Sequence, residues 1–131
     1  MTVSIMVVED EALVALDISE RLRGLGYAVP CMLSSGEDAV ARAVELKPAL
    51  VLMDIGLKGD MDGIEAAVQI RAQLNIPCVF ITAYGDEKTF ERAAAAQPCG
   101  YIYKPFDGND LQDCVNSAIL NTGTKTEGMK W

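Results

Sequence analysis

Residues 50–56 read Leu-Val-Leu-Met-Asp-Ile-Gly, so an apolar run ends directly in the carboxylate of Asp54. A short, continuous apolar run is typical of a strand that is buried on both faces, as in a parallel sheet. A carboxylate at the end of such a strand is out of place unless it points past the sheet edge into a cleft. The stretch therefore predicts a buried parallel strand with a polar site at its carboxyl end.

Similar apolar segments lie on both sides of this stretch and alternate with helical stripes. The other strands are predicted at Ser4–Val8, Ala28–Leu33, Cys78–Ile81 and Tyr101–Tyr103. Five strands that alternate with five helices predict a parallel sheet covered on both faces. With right-handed crossovers, the expected fold is an α/β, flavodoxin-like (βα)5 three-layer sandwich with strand order 2-1-3-4-5. That order puts the second strand, which contains Pro30, at the edge, where a missing amide donor is tolerated.

The length of 131 residues suits a single domain, which we place at residues 1–121. Residues 122–131 carry mostly Thr, Gly, Lys and Glu without periodicity, so a flexible C-terminal tail is expected there. No apolar stretch is long enough to cross a bilayer, and no charged leader precedes one. We therefore expect no membrane association and a cytoplasmic location.

The sequence predicts a capping residue for the second helix and a small apolar face for the fourth. Ser35 precedes the second helix, and with Asp38 it resembles a capping box. The fourth helix, at about Glu87 to Gln97, has Asp86 as a candidate cap and only Phe90 and two alanines for an inner face. We expect it to be the least firmly anchored of the helices.

The chain is acidic, with a formal net charge of -8, and contains four cysteines and no histidine. Direct nucleic-acid binding needs a basic face, so that partner is not expected. Without histidine or a CxxC pair, we expect neither a zinc site nor Ser/His/Asp or Cys/His catalysis. We interpret Cys31, Cys78 and Cys114 as small core residues in a reducing compartment, and Cys99 as a turn residue that could be exposed.

Polar side chains at four strand ends are expected to share one rim of the sheet. Asp10 follows strand one and Asp54 ends strand three, at the switch point where such sheets bind ligands. Carboxylates without histidine or thiolate favour Mg²⁺, and a carboxylate can also act as a nucleophile that forms an aspartyl-phosphate. Thr82 could donate to a phosphate oxygen, and Lys104 could neutralise the transferring group. The Lys104–Pro105 bond is a candidate cis peptide.

At this point the chain resembles the receiver domain of bacterial two-component response regulators, from about Val3 to Asn121. Each matching piece is weak alone, but their order and spacing are specific. The pieces are Val7–Glu11, Met53–Ile55, Asp62–Glu65, Ile81–Ala83 and Lys104–Phe106. The loop after the third strand departs from the pattern, because it is one residue longer than usual and has Lys58 where proline is common.

The resemblance implies a role for each site residue. Asp54 would be the phosphoacceptor, Asp10 a direct Mg²⁺ ligand and Glu9 a ligand through water, while Gly56 would offer its backbone carbonyl to the metal. Thr82, Ala83 and Lys104 would contact the phosphoryl group. Thr82 and Tyr101 would form the switch pair, and the residues at Gly56 and Tyr84 would tune the phosphoryl lifetime.

The function implied is a phosphorylation-driven signalling switch in a two-component phosphorelay, with at most self-phosphorylation and self-dephosphorylation as activity. A histidine kinase or phosphotransfer protein would donate the phosphoryl group. The surface of helix four, strand five and helix five would then change toward a downstream protein or a fused output domain. A homodimer through that surface is also left open.

Two other classes of protein are alternatives to this function. One is an Mg²⁺-dependent phosphatase with an aspartate nucleophile, which commonly needs a second acid two residues later, where this chain has Gly56. The other is a nucleotide- or flavin-binding module, which ranks lowest because the first βα turn has no glycine-rich phosphate loop.

Overall fold

The computed structural model describes residues 2–83 and 87–127, with side chains up to residue 120. Strands and helices alternate along the whole described chain, as predicted. The strands are β1 Ile5–Val8, β2 Met32–Leu33, β3 Leu50–Asp54, β4 Cys78–Thr82 and β5 Gly100–Tyr103. The helices are α1 Ala12–Gly24, α2 Gly36–Leu46, α3 Gly63–Leu74, α4 Glu87–Ala94 and α5 Gly108–Glu127.

All strands are parallel and follow the order β2-β1-β3-β4-β5, which confirms the predicted topology. The register aligns the carboxyl ends of the strands. Val8 lies opposite Met53, Asp54 opposite Ile81, and Thr82 opposite Tyr103. The residues that end or follow neighbouring strands are therefore held at one edge of the sheet.

Alternate side chains of the central strands enter two separate cores, because successive strand residues point to opposite faces. Met6, Met53 and Phe80 pack on the face covered by α2, α3 and α4. Ile5, Leu52 and Ile81 pack on the face covered by α1 and α5. The structure is thus the predicted three-layer sandwich, and the middle strands are apolar throughout because both of their faces are buried.

Side-chain caps fix the starts of two helices near the site. The Ser35 hydroxyl accepts a hydrogen bond from the amide of Asp38 at 3.1 Å, which confirms the predicted cap of α2. The Asp62 carboxylate accepts one from the amide of Glu65 at 2.9 Å and so caps α3. Such caps satisfy amides that otherwise have no partner within the helix.

Two expectations about element limits were wrong. β2 pairs only at Met32–Leu33 instead of from Ala28, because Pro30 cannot donate to the ladder; Ala28 forms an isolated bridge with Ser4. Helix α4 ends at Ala94, before Gln97. Helix α5 extends to Glu127, and the flexible tail stays a prediction.

Some expectations fall on residues that the structure does not describe. These are the candidate cap Asp86, the position Tyr84 and residues 128–131 of the predicted tail. The domain limit at residue 121 stays a prediction. Within the described residues, no helix combines the length and the apolar character needed to cross a bilayer.

The cysteines are all free thiols, but they differ in burial. Cys78 is buried at the start of β4, as expected, whereas Cys31, Cys99 and Cys114 are each half-buried. Burial, helped by Cys99 and opposed by Arg71, raises the pKa of Cys78 to about 12. Its thiol is therefore protonated throughout the physiological range of pH.

We predict that Cys78 resists alkylation in the folded protein. At pH 8 a thiol with a pKa of about 12 is ionised in about one molecule in ten thousand, and the thiolate is the reactive form. Iodoacetamide labelling followed by peptide mass spectrometry should modify Cys99 at least tenfold faster than Cys78. Equal labelling rates in the native protein would contradict the burial of Cys78, and unfolding in urea should abolish the difference.

Candidate functional site

The side chains at the carboxyl edge of the sheet form one polar cluster. Glu9 and Asp10 follow β1, Asp54 and Thr82 end β3 and β4, and Lys104 follows β5. Glu9, Asp54 and Thr82 are buried, with 2%, 6% and 4% of their surface exposed. Polar groups buried to this extent need partners, so their convergence indicates a site.

Three carboxylates of this cluster lie close enough to share one cation. Glu9, Asp10 and Asp54 can each offer an oxygen, and these oxygens lie within 4.8 Å of one another. Carboxylates at this separation repel one another unless a positive charge lies between them. Oxygen is the ligand that hard cations prefer, so the residues fit a divalent ion of this type.

Lys104 supplies the positive charge that the carboxylates contact. Its Nζ lies 2.8 Å from Glu9 Oε1, 3.6 Å from Asp54 Oδ2 and 3.7 Å from Glu11 Oε1. Partial burial lowers the pKa of Lys104, but the hydrogen bond to Glu9 and the charges of Asp54, Glu9 and Glu11 outweigh it, so the pKa is raised. Lys104 is therefore charged at neutral pH.

The surroundings of Glu9 disfavour the charged form of its carboxyl group. Burial raises its pKa to about 7, helped by Asp54 and opposed by Lys104 and by the amide of Glu11, which donates to Oε2 at 2.9 Å. The other oxygen of Glu9, Oε1, lies 2.8 Å from the Lys104 ammonium. Each oxygen of this buried carboxylate therefore has a donor or a positive charge beside it.

The backbone around Asp54 fixes the direction of its side chain. The amide of Gly56 donates to Asp54 Oδ1 at 2.9 Å, so Oδ2 is the oxygen that faces Lys104. The first residue of α3, Gly63, lies against the other side of the Asp54 backbone. A Cβ atom on Gly63 would overlap the carbonyl oxygen of Asp54 and lie 2.9 Å from its carbonyl carbon. Only glycine allows this approach.

The cluster opens into a cleft of about 650 Å³. The cleft is lined by Asp10, Glu11, Ser34, Asp54, Ile55, Gly56, Lys58, Thr82, Ala83, Thr89 and Lys104. The sequence analysis predicted no role in the site for three of these residues, Ser34, Lys58 and Thr89. Ser34 directly follows β2, so the carboxyl-end rule could have found it. Lys58 stood out only as a departure from the family pattern, and no local signal places Thr89 of α4 in the cleft.

Two residues with predicted roles, Tyr101 and Gly56, do not make the contacts that the sequence predicted for them. Tyr101 does not line the cleft; it is half-buried on β5, with its ring 5.7 Å from Phe90 of α4 in an edge-on arrangement and 6.0 Å from Phe80. Burial and the neighbouring Tyr103 and Cys78 raise the pKa of Tyr101.

Gly56 lines the cleft, but its described contact is through the amide and not the carbonyl. The Lys104–Pro105 bond is cis, as the sequence predicts.

Comparison with known proteins decides the family. Residues 5–116 match the model of the response regulator receiver domain. The chain belongs to this family. Receiver domains are signalling switches and not enzymes in the usual sense.

Two bacterial regulators are similar in sequence to this receiver domain. It is 36% identical over 115 residues to the transcriptional regulatory protein PdtaR of Mycobacterium tuberculosis, covering 88% of this chain and 56% of that protein. It is 38% identical over 117 residues to the response regulator protein VraR of Staphylococcus aureus, with the same coverage of 88% and 56%. The chain thus spans about half the length of the curated relatives it matches.

A solved structure shows the same architecture. The signal receiver domain of a modulated diguanylate cyclase from Desulfovibrio desulfuricans superposes with a TM-score of 0.89 at 36% identity. The match covers 95% of this chain and 99% of that one. The flavodoxin-like order of strands is therefore shared with a receiver domain of similar sequence.

We predict that Gly63→Ala destabilises the protein by about 1–3 kcal/mol, because the new methyl group must displace the Asp54 backbone or α3. Gly24→Ala is the matched control, since Gly24 lies in α1 with no atom within 4 Å of the position of a Cβ. The control should be neutral or more stable by about 0.4–1 kcal/mol. Urea denaturation measures both, and an equal effect of the two substitutions would contradict the close packing at Asp54.

Proposed function

We propose that this receiver domain is a phosphoacceptor switch of a two-component phosphorelay and that Asp54 accepts the phosphoryl group. The observation that carries the proposal is the setting of Asp54. It is buried at the end of β3, oriented by the amide of Gly56, and has its second oxygen 3.6 Å from the ammonium of Lys104. A carboxylate held in this way at a cleft is oriented as a nucleophile.

In the transfer step, Asp54 Oδ2 forms a bond to phosphorus as the bond between phosphorus and the donor atom breaks. The donor atom leaves with the electron pair of that bond, and no oxidant or further reactant is needed. Lys104 lies beside the attacking oxygen, so it would neutralise the oxygens of the arriving phosphoryl group. The hydroxyl of Thr82 and the backbone at Ala83 line the same cleft and would hold that group.

The cation proposed for the site is Mg²⁺, held directly by Asp10, Asp54 and the backbone carbonyl of Gly56, and through water by Glu9. The three carboxylate oxygens that lie within 4.8 Å of one another support it. Mg²⁺ commonly takes one or two carboxylates and keeps waters for substrate phosphate oxygens. When bound, the ion would offset the repulsion between these carboxylates and an anionic donor.

The switching surface is proposed to be α4, β5 and α5. Thr82 and Tyr101 would be the switch pair, and the ring contacts of Phe90 on α4 with Tyr101 and Tyr103 support a link between β5 and α4. Helix α4 has only Ala93 buried among its own residues, so a small change in these contacts could shift it.

The partners of the switch follow from the same proposal. A histidine kinase or a phosphotransfer protein would donate the phosphoryl group in the cytoplasm. The target would be a downstream protein or a fused output domain, since the matched regulators PdtaR and VraR are about twice as long as the matching region. A homodimer through α4, β5 and α5 would be an alternative use of the same surface. The activity of the chain itself would be limited to self-phosphorylation and self-dephosphorylation.

We predict that acetyl phosphate with Mg²⁺ adds one phosphoryl group to the protein and that the group maps to Asp54. Intact-mass spectrometry should show the adduct in the wild type and in Asp113→Asn, an exposed site on α5, but not in Asp54→Asn. Phosphorylation of Asp54→Asn at the wild-type rate would contradict the proposal. Rapid multiple turnover of varied phosphomonoesters would identify a phosphatase instead.

We predict that Asp10→Asn weakens Mg²⁺ binding by about tenfold or more, because it removes one charged oxygen ligand from the cluster. Titration calorimetry or amide chemical shifts measured against Mg²⁺ concentration give the affinity. Asp113→Asn removes the same charge at an exposed residue of α5 that does not line the cleft, and it should leave the affinity unchanged. Equal affinities in the wild type and both variants would place the ion elsewhere.

A further inference from the structure

The carboxylate of Asp62 is shared between two helices. Its Oδ1 accepts the amide of Glu65 at 2.9 Å and caps α3. Its Oδ2 accepts a hydrogen bond from Nη2 of Arg92 on α4, also at 2.9 Å. The two side chains remain in contact with solvent, with 51% of Arg92 and 29% of Asp62 exposed. A single carboxylate therefore links the start of α3 to the side of α4.

The backbone of Asp62 is held firmly on the side of the phosphoacceptor. The next residue, Gly63, packs so closely on the carbonyl of Asp54 that no side chain fits between them. On the other side, a Cβ atom on Gly36 at the start of α2 would lie only 3.2 Å from the carbonyl oxygen of Asp62. The position of the Asp62 carboxylate is therefore tied to the backbone of Asp54.

Helix α4 is held much less firmly. Ala93 is the buried residue within it, and Phe90 is half-buried against the rings of Tyr101 and Tyr103. A helix with so little buried apolar surface can change position at a low cost in free energy. A solvent-exposed ion pair contributes little to overall stability, but a contribution of that size can bias a helix between two positions.

From these contacts we propose that the Asp62–Arg92 ion pair holds α4 in the position it takes before phosphorylation, and so limits how readily the site at Asp54 is occupied. The inference rests on the proposed switch function and adds a regulatory contact to it. Some ligands bind only to molecules in which α4 is in its second position. The apparent affinity of such a ligand is reduced in proportion to the fraction of molecules in that position. Breaking the ion pair raises that fraction.

The test is a titration with beryllofluoride and Mg²⁺, a mimic of the phosphoryl group, followed by amide NMR on Arg92→Ala and the wild type. Arg92→Ala should bind about 1.4-fold to fivefold more tightly, the range expected for loss of an exposed ion pair. Its α4 amide signals, before any addition, should lie between the free and bound positions of the wild type.

Two further variants separate this coupling from general effects of charge. Arg42→Ala removes an arginine that pairs with Glu45 on α2 at 3.6 Å and should bind as the wild type does. Asp62→Asn keeps an oxygen that can cap α3 but loses the charge, so it should behave as Arg92→Ala does. The double variant Asp62→Asn/Arg92→Ala should show no additional gain, because both changes remove the same interaction.

Two outcomes would overturn the proposed ion-pair latch while leaving the switch function intact. One is an Arg92→Ala affinity equal to that of Arg42→Ala. The other is a weaker affinity of Arg92→Ala, which would assign the pair to the phosphorylated position. Failure of the wild type itself to bind beryllofluoride would overturn the proposed function, and the latch with it.

Discussion

Buried negative charge at one edge of the sheet is the constraint on which the rest of the structure depends. Glu9 and Asp54 are almost fully buried, and Asp10 adds a third carboxylate within 4.8 Å of them. The ammonium of Lys104 touches Glu9 at 2.8 Å and stands farther from Asp54, at 3.6 Å. One lysine cannot balance three carboxylates, so the arrangement favours a bound cation, and we propose that Lys104 turns toward an arriving anion.

The fold holds these charges together through backbone register. Because β1, β3, β4 and β5 are parallel and adjacent, the residues that end or follow them meet at one rim, and none depends on a long loop for its position. The overlap that a side chain at Gly63 would make with the Asp54 carbonyl adds α3 to this frame. The closest packing is thus on the side of β3 and α3, while α4 buries only Ala93 of its own residues, and we propose that α4 is the part that responds.

The sequence was sufficient for the sheet order and for the rim of the cleft, because alternating apolar segments determine the topology and the topology places Asp10, Asp54, Thr82 and Lys104. It was not sufficient where long-range packing decides. Helix α5 extends to Glu127, beyond the part of its sequence in which apolar residues recur at helical spacing. The pairing of Asp62 with Arg92 joins residues 30 positions apart on two elements and leaves no local pattern.

The central claim is that one cleft holds both the cation and the phosphoryl group, with Lys104 passing from Glu9 to the new anion. A crystal structure with Mg²⁺ and beryllofluoride tests it most directly. We expect the beryllium bonded to Asp54, the cation among Glu9, Asp10 and Asp54, and the Lys104 ammonium in contact with a fluoride instead of with Glu9. A beryllium or cation site away from Asp54, or a Lys104 still paired with Glu9, would contradict the account.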